Sequence, residues 1–304
     1  MATMRIGTAP VTWGIEGNPD GALQLPFEQV LSEMRKSGYA GTELGPPGFL
    51  PNDPDALAKL LKTYCLDLVS AYCALDLHSA ASISNDMEEI KKTAKTLTAL
   101  GAQQIVIGEW GSPSRYKISG RVCSEAGDDV LDKAGWKRLR QRVETVCEVC
   151  VPLGLKVSFH PHVGTYVETS GEIDQFLDAV KGLPVGLCLD TGHLAYAGDE
   201  PVKAFKTYAP HINLCHLKDV KREILQRCLQ RRLDLTETTR AGVFVPLGQG
   251  DVDFGALLTA LYKLNYNGWL VVEQDRILTQ PDDTLADARV SYSFLATLLK
   301  ALEP

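Results

Sequence analysis

The chain has 304 residues, 45% of them hydrophobic, and a formal charge of −7. That composition fits a soluble globular protein, long for one core but normal for a barrel with inserted loops, and the acidic balance argues against nucleic acid, which needs clustered Lys and Arg. No apolar run reaches membrane-span length and MATMRIGTAP lacks the charged and apolar regions of a secretory signal, so a cytoplasmic protein with no membrane partner is expected.

Strand and helix patterns alternate from end to end. The first strand, MRIGTAP, precedes the helix PFEQVLSEMRKSG. AGTELG is the second strand, with DPDALAKLLKTYC as its helix. LDLVSAYC and QQIVIGEW read as the third and fourth strands, separated by NDMEEIKKTAKTLTALG, where Ile90, Ala94, Leu97 and Leu100 share one face. A long helix then carries Leu139, Val143, Val146, Cys150 and Leu153 along one stripe. KVSFHPH, VGLCLDTGH, INLCHLKD and GWLVVEQD supply strands five to eight, and the last helix presents Leu285, Ala288, Tyr292, Leu295 and Leu299. Gly38, Gly101 and Gly154 end helices, where a positive φ is needed.

Eight such units with no composition break predict an α/β fold, a single (β/α)8 TIM barrel over residues 1–304. An open doubly wound sheet is the alternative, but the first strand ends in APVTWG and no GxGxxG follows it. One large insertion, about 219–250, follows the seventh strand and is rich in Arg (Arg222, Arg227, Arg231, Arg232, Arg240). It reads as a lid or subunit contact on the catalytic face, or equally as a solvated helix. The eight cysteines mostly sit in apolar patterns and read as reduced core thiols. Cys147 and Cys150 have CxxC spacing but lie in mid-helix with no second pair, so packing is the better reading.

Four of the strands end in a residue able to bind metal: His160, Asp190, His216 and Glu273. Buried parallel strands read as continuous apolar runs, so a polar group closing each of four in order points to one site where strand ends converge. Two imidazoles and two carboxylates suit a divalent cation such as Mn²⁺, Co²⁺ or Zn²⁺. Asp190 can bind metal or cap the next helix, and His193 lies one turn on. Alternation places Lys218 on the same side as His216, where it can steady an oxyanion, exchange a proton, or pair with Asp219 or Glu223. His162 shares a side with His160; one can ligate while the other acts as base. Glu43 and Glu109 end strands two and four and are expected to face the pocket. Trp13 and Trp110 offer flat walls that stack on sugar rings, or plug the barrel. The absence of GxSxG, HExxH and a P-loop disfavours serine acyl transfer and nucleotide chemistry.

With IGTAPVTWG, FEQVLSEMRKSGYAGTELG, SFHPHVGTYVET, LDTGHLAYAG, HLKDV and AGVFVPLGQGDVDF in view, the chain resembles the xylose-isomerase-like barrel superfamily of sugar isomerases, epimerases and dehydratases. Within it the similarity is greatest to the inosose dehydratase group, over nearly the full length. The resemblance implies one divalent metal held by Glu, Asp, His and Glu; the last three match Asp190, His216 and Glu273, while His160 replaces the first Glu. It implies His162 or Lys218 as the base, Lys218 lying beside the metal His, and dehydration of a cyclic polyhydroxy ketone, 2-keto-myo-inositol, in inositol catabolism. His193, Glu43 and Glu109 are the candidates for protonating the departing hydroxyl. A ketose 3-epimerase or isomerase and a silent sugar-binding barrel are the alternatives. The resemblance also implies a small-molecule polyol or ketose partner and a homo-dimer or homo-tetramer.

Overall fold

A computed structural model describes residues 3–15, 22–279 and 282–302. The first barrel strand is Met4–Thr8 and the second only Gly41–Thr42; the third is broken into Asp67–Leu68 and Tyr72–Leu75. Gln104–Glu109, Lys156–Phe159, Val185–Asp190, Ile212–Leu217 and Gly268–Val272 complete the set. Each pairs in parallel with its neighbours, and the eighth pairs with the first from Met4↔Gly268 to Thr8↔Val272. The two ends of the sheet order are the two pieces of the third strand, so the sheet closes on itself and the open doubly wound alternative falls.

Inside the barrel, Val69, Val106, Cys188, Leu214 and Val271 form a packed layer, each pointing inward from a different strand. Outside it, helices bury the stripes predicted for them. Ile90, Ala94 and Leu97 are fully buried on the helix Ser84–Ala99, as are Leu139, Val143, Val146 and Cys150 on Lys133–Cys150. Leu153 departs from its predicted stripe and is 41% exposed, because the helix stops at Cys150 and Val151–Leu153 tightens into a 3₁₀ turn. Gly38 follows the helix Phe27–Ser37 at φ 109°, where its N–H caps two carbonyls and the contact with Tyr292 leaves no room for a Cβ.

Two short helices that the pattern did not signal, Pro113–Ile118 and Val122–Glu125, follow the fourth strand. After the seventh strand, the insertion forms a ribbon of Asp219–Val220 with Phe244–Val245 and two helices, Arg222–Gln230 and Leu235–Arg240. It is pinned from two sides. Arg232 makes a bidentate pair with Glu125 at 2.8 and 2.9 Å. The Asp219 carboxylate accepts from the amides of Val220, Gly248, Gly250 and Val252, which ties HLKD to PLGQGDVD. No helix among the described residues is long and apolar enough to cross a membrane.

Candidate metal centre

Register sets the site. Asp190 lies beside His216 across the sixth and seventh strands, and Val271 beside His216 across the seventh and eighth. Alternation then brings Glu273 level with Lys218, with Asp275 one step higher. All four predicted ligands are buried at the C-terminal ends of their strands. They border, or stand directly behind, a cavity of about 570 Å³ that also exposes Glu43, Glu109, His162, His193, Lys218 and Asp275.

His216 is the pivot. Its Nε2 stands 3.0 Å from Glu43 Oε1, and its Nδ1 stands 3.3 Å from Glu273 Oε2 without a hydrogen-bond partner. An imidazole that donates to a carboxylate from one nitrogen and leaves the other unpaired is arranged like a metal-bound His with its supporting acid. Glu43 is that support, steadied by Ser70 Oγ at 2.6 Å. His160 is arranged likewise: Nδ1 donates to the Cys188 carbonyl at 3.0 Å, leaving Nε2 bare. Burial, with the nearby His216 and His162, holds the His160 pKa well below the ordinary range and keeps it a neutral ligand. The ligand atoms of Glu43, His216 and Glu273 lie within 4.8 Å of one another, as do those of His160, Cys188 and His216.

Asp190 satisfies both of its sequence readings with different oxygens. Oδ1 caps the helix Thr191–Tyr196 through the amides of Gly192 and His193 at 2.6 and 3.0 Å. Oδ2 is buried, lacks a hydrogen-bond partner and faces Lys218 Nζ at 3.4 Å. Asp190, Glu273 and Asp275 crowd around a single ammonium, Lys218, while a fourth carboxylate, Glu43, stands on His216. Buried charges of one sign need a counter-ion. The orphaned His216 Nδ1 and Asp190 Oδ2, with this negative excess, fit a divalent cation. Burial opposes protonation of His216, yet Cys188, Glu273 and Glu43 push its pKa well above the ordinary range, the same electrostatic demand read on another group. Glu273 runs the other way: burial would raise its pKa, but His216 and Lys218 hold it well below the usual carboxylate range.

Lys218 does not pair with Asp219 or Glu223. Its ammonium lies 2.7 Å from Asp275, 3.3 Å from Glu273 and 3.0 Å from His193 Nε2. Burial works against this charge, but Asp190, Asp275 and Glu273 raise its pKa well above the ordinary value. These carboxylates favour the ammonium form of Lys218. His193 accepts from it, and burial keeps that imidazole neutral. His162 lies against His193, the rings tilted by 44° with centroids 3.8 Å apart, and directs Nδ1 at the Val163 carbonyl, 2.7 Å away.

Trp13 is a correction to the sequence reading. It is fully buried, donates from Nε1 to Glu33 at 2.8 Å and packs edge-on against Tyr39, so it is no pocket wall. The 3₁₀ turn Pro10–Trp13 carries the indole away from the cavity and toward the helix Phe27–Ser37. Trp110 is 56% exposed and borders the cavity, as expected. Glu109 is joined by a partner that the sequence did not signal: His78 Nδ1 lies 2.7 Å from its Oε1, while Oε2 is buried without a partner. Asp275 was missed too, although its signal was present two residues after Glu273 on the same side of the chain.

The chain is similar to known proteins over most of its length. The chain is 31% identical over 279 residues to an inosose dehydratase of Geobacillus kaustophilus (strain HTA426), covering 91% of this chain and 90% of that protein. It is 32% identical over 291 residues to an inosose dehydratase of Bacillus anthracis (strain CDC 684 / NRRL 3495), covering 94% and 95%. The crystal structure of the IolI protein with a bound zinc atom superposes with a TM-score of 0.73 at 17% identity, covering 99% of both chains, a likeness of fold. The profile of the xylose isomerase-like TIM barrel family matches residues 20–295, and the chain belongs to that family.

Proposed function

We propose that the protein is a metal-dependent hydro-lyase that removes water from a cyclic polyhydroxy ketone of the inosose type. The observation that carries this reading is the convergence of His160, Asp190, His216 and Glu273 on a cavity that also holds an ammonium and an unpaired acid. Relatives named inosose dehydratase, and the zinc in the IolI structure, support it.

His216 Nδ1, Glu273, Asp190 Oδ2 and His160 Nε2 would hold the cation. When bound, a divalent metal acts as a Lewis acid that polarises the substrate carbonyl and lowers the cost of an enolate. The remaining roles belong to the chain. His162 is the base: Nδ1 is committed to Val163, so Nε2 is free to take the proton next to the carbonyl. Burial and the Lys218 charge lower its pKa, so it is neutral near pH 7 and ready to accept. Lys218 stabilises the developing oxyanion, held in place by Asp275 and His193. Glu109 is the acid for the departing β-hydroxyl. Burial raises its pKa, His78 steadies one oxygen and the other is unpaired.

The test is to incubate the protein with Mn²⁺ and 2-keto-myo-inositol and follow ultraviolet absorbance of a dione product. Its appearance supports dehydration. A mixture of epimeric ketoses without that absorbance contradicts it and favours epimerisation, and no reaction with either substrate class favours a binding protein.

A further inference from the structure

A second cavity, of about 460 Å³, adjoins the first, sharing Gly45, Pro46, Pro47, Tyr72, Ala74 and Trp110 with it. Its origin lies in the sheet. The second strand keeps its neighbours through the Leu44 N–H, which donates to the Ser70 carbonyl at 3.0 Å, and Tyr72–Leu75 pairs only with the fourth strand, so the barrel wall parts above Leu44. Pro46 and Pro47 have no N–H with which to close the seam. The gap is floored by the helix Ser84–Ala99, through Glu89, Ile90, Thr93 and Thr96.

The two cavities differ in chemistry. The groups that would grip a polyol ketone lie at the strand ends of the first: His160, His162, His216, Lys218, Glu273 and Asp275. The boundary between them is formed by Gly45, the two prolines, Ala74 and the two aromatic side chains. A fully hydroxylated ring pushed there would lose partners for its hydroxyls, each costing about 1–3 kcal/mol when buried unpaired. Each cavity alone lies in the range of roughly 300–1,000 Å³ that encloses a drug-sized ligand, far more than a single six-carbon ring needs. Trp110 stands 56% exposed at the junction, an indole face offered to a flat apolar partner. Asn52, Asn85, Asp86 and Lys92 among the described residues give the second cavity a polar outer edge.

We propose that the second cavity is a subsite for an aromatic substituent joined to the polyol ring, so that the enzyme takes aryl glycoside-type keto-sugars as well as a bare ring. The ring enters the strand-end site, the linking oxygen crosses between Pro46 and Trp110, and the aryl group lies against the indole. This rests on the strand-end cavity as a polyol site but not on which reaction follows.

The test is titration calorimetry of the full chain loaded with Mn²⁺, using phenyl β-D-glucopyranoside and methyl β-D-glucopyranoside, neither of which carries the reactive ketone. The phenyl glycoside is expected to bind at least tenfold more tightly. Glu89→Trp and Thr93→Phe each fill the second cavity from the helix Ser84–Ala99. Both should bring the preference to within about twofold while leaving the methyl glycoside affinity unchanged. Two variants guard against misfolding of one. Equal affinities in the unaltered protein, no binding of the phenyl glycoside at millimolar concentration, or a preference that survives both substitutions overturns the proposal. A protein that shows the preference yet fails to dehydrate 2-keto-myo-inositol loses the proposed reaction and keeps the subsite.

Discussion

Gly192 has no side chain because the stem of Lys218 occupies the space: a Cβ built on Gly192 would come within 2.6 Å of Lys218 Cγ and 2.7 Å of its Cβ. Thr191 Oγ1 adds two contacts to the Lys218 backbone, at 2.7 Å to its carbonyl and 2.8 Å from its N–H. DTGH and HLKD are thus one unit, which presses the ammonium against Asp275 and His193. Gly192→Ala must displace Lys218, whose Cβ cannot swing away. It should cost about 1–3 kcal/mol by overpacking and lower turnover at least tenfold. Urea unfolding and steady-state kinetics check this, and full turnover would show that the fit does not matter.

His216→Ala and Glu273→Ala should each remove bound metal and activity together, since each deletes an atom of the proposed cation seat. Metal content after dialysis, measured by mass spectrometry, decides. Retained stoichiometric metal in both variants would remove these residues from the ligand set.

Asp190→Asn separates the two oxygens. Asn is as good an N-cap as Asp, so stability should change by less than about 1 kcal/mol. The charge at Oδ2 is gone, so metal content and turnover should fall. A variant that loses stability and keeps its metal would leave only the capping role.

Lys218→Met keeps the length of the side chain and removes its charge. Metal content should be unchanged while kcat falls about 10²- to 10³-fold, the usual cost of one donor to a developing oxyanion. Unchanged kcat would rule out the ammonium as an oxyanion partner.

Much of this site was legible in the chain because a barrel converts strand order into convergence. The apolar runs ending in His160, Asp190, His216 and Glu273 were sufficient to place all four at one mouth. What the sequence did not carry depends on contacts across the barrel. Glu43 reads as an acid at a strand end, and only closure of the sheet sets it against His216, 173 positions away. His78 lies in an irregular stretch with no periodicity to flag it, yet it reaches Glu109. Trp13 was misplaced because a position just beyond a strand does not reveal which way the next turn carries the side chain. The gap beside Pro46 was hidden because AGTELG has the pattern of a six-residue strand but forms only two residues of ladder.

Stability should depend on pH through Glu168, which accepts from Gly120 and Gly164 at 2.7 Å each and is 2% exposed. Burial pushes its pKa from 4.5 up to about 7, against the pull of those amides. The folded protein then retains a proton that the unfolded chain releases. The stabilising contribution is complete below about pH 4.5 and is lost as pH rises to about 7, a change on the order of 3 kcal/mol. Denaturant unfolding between pH 5 and 8 should show this fall, and Glu168→Gln should flatten it whatever its own cost. An identical slope in the variant would assign the dependence to other groups.

The central claim is a single cation at the strand-end floor, and anomalous scattering at the metal edge from crystals grown with Mn²⁺ tests it most directly. One peak is predicted at about 2.0–2.3 Å from His216 Nδ1 and a Glu273 oxygen, with His160 or Asp190 completing its shell. No peak among these side chains, with Lys218 alone balancing the carboxylates, would contradict it.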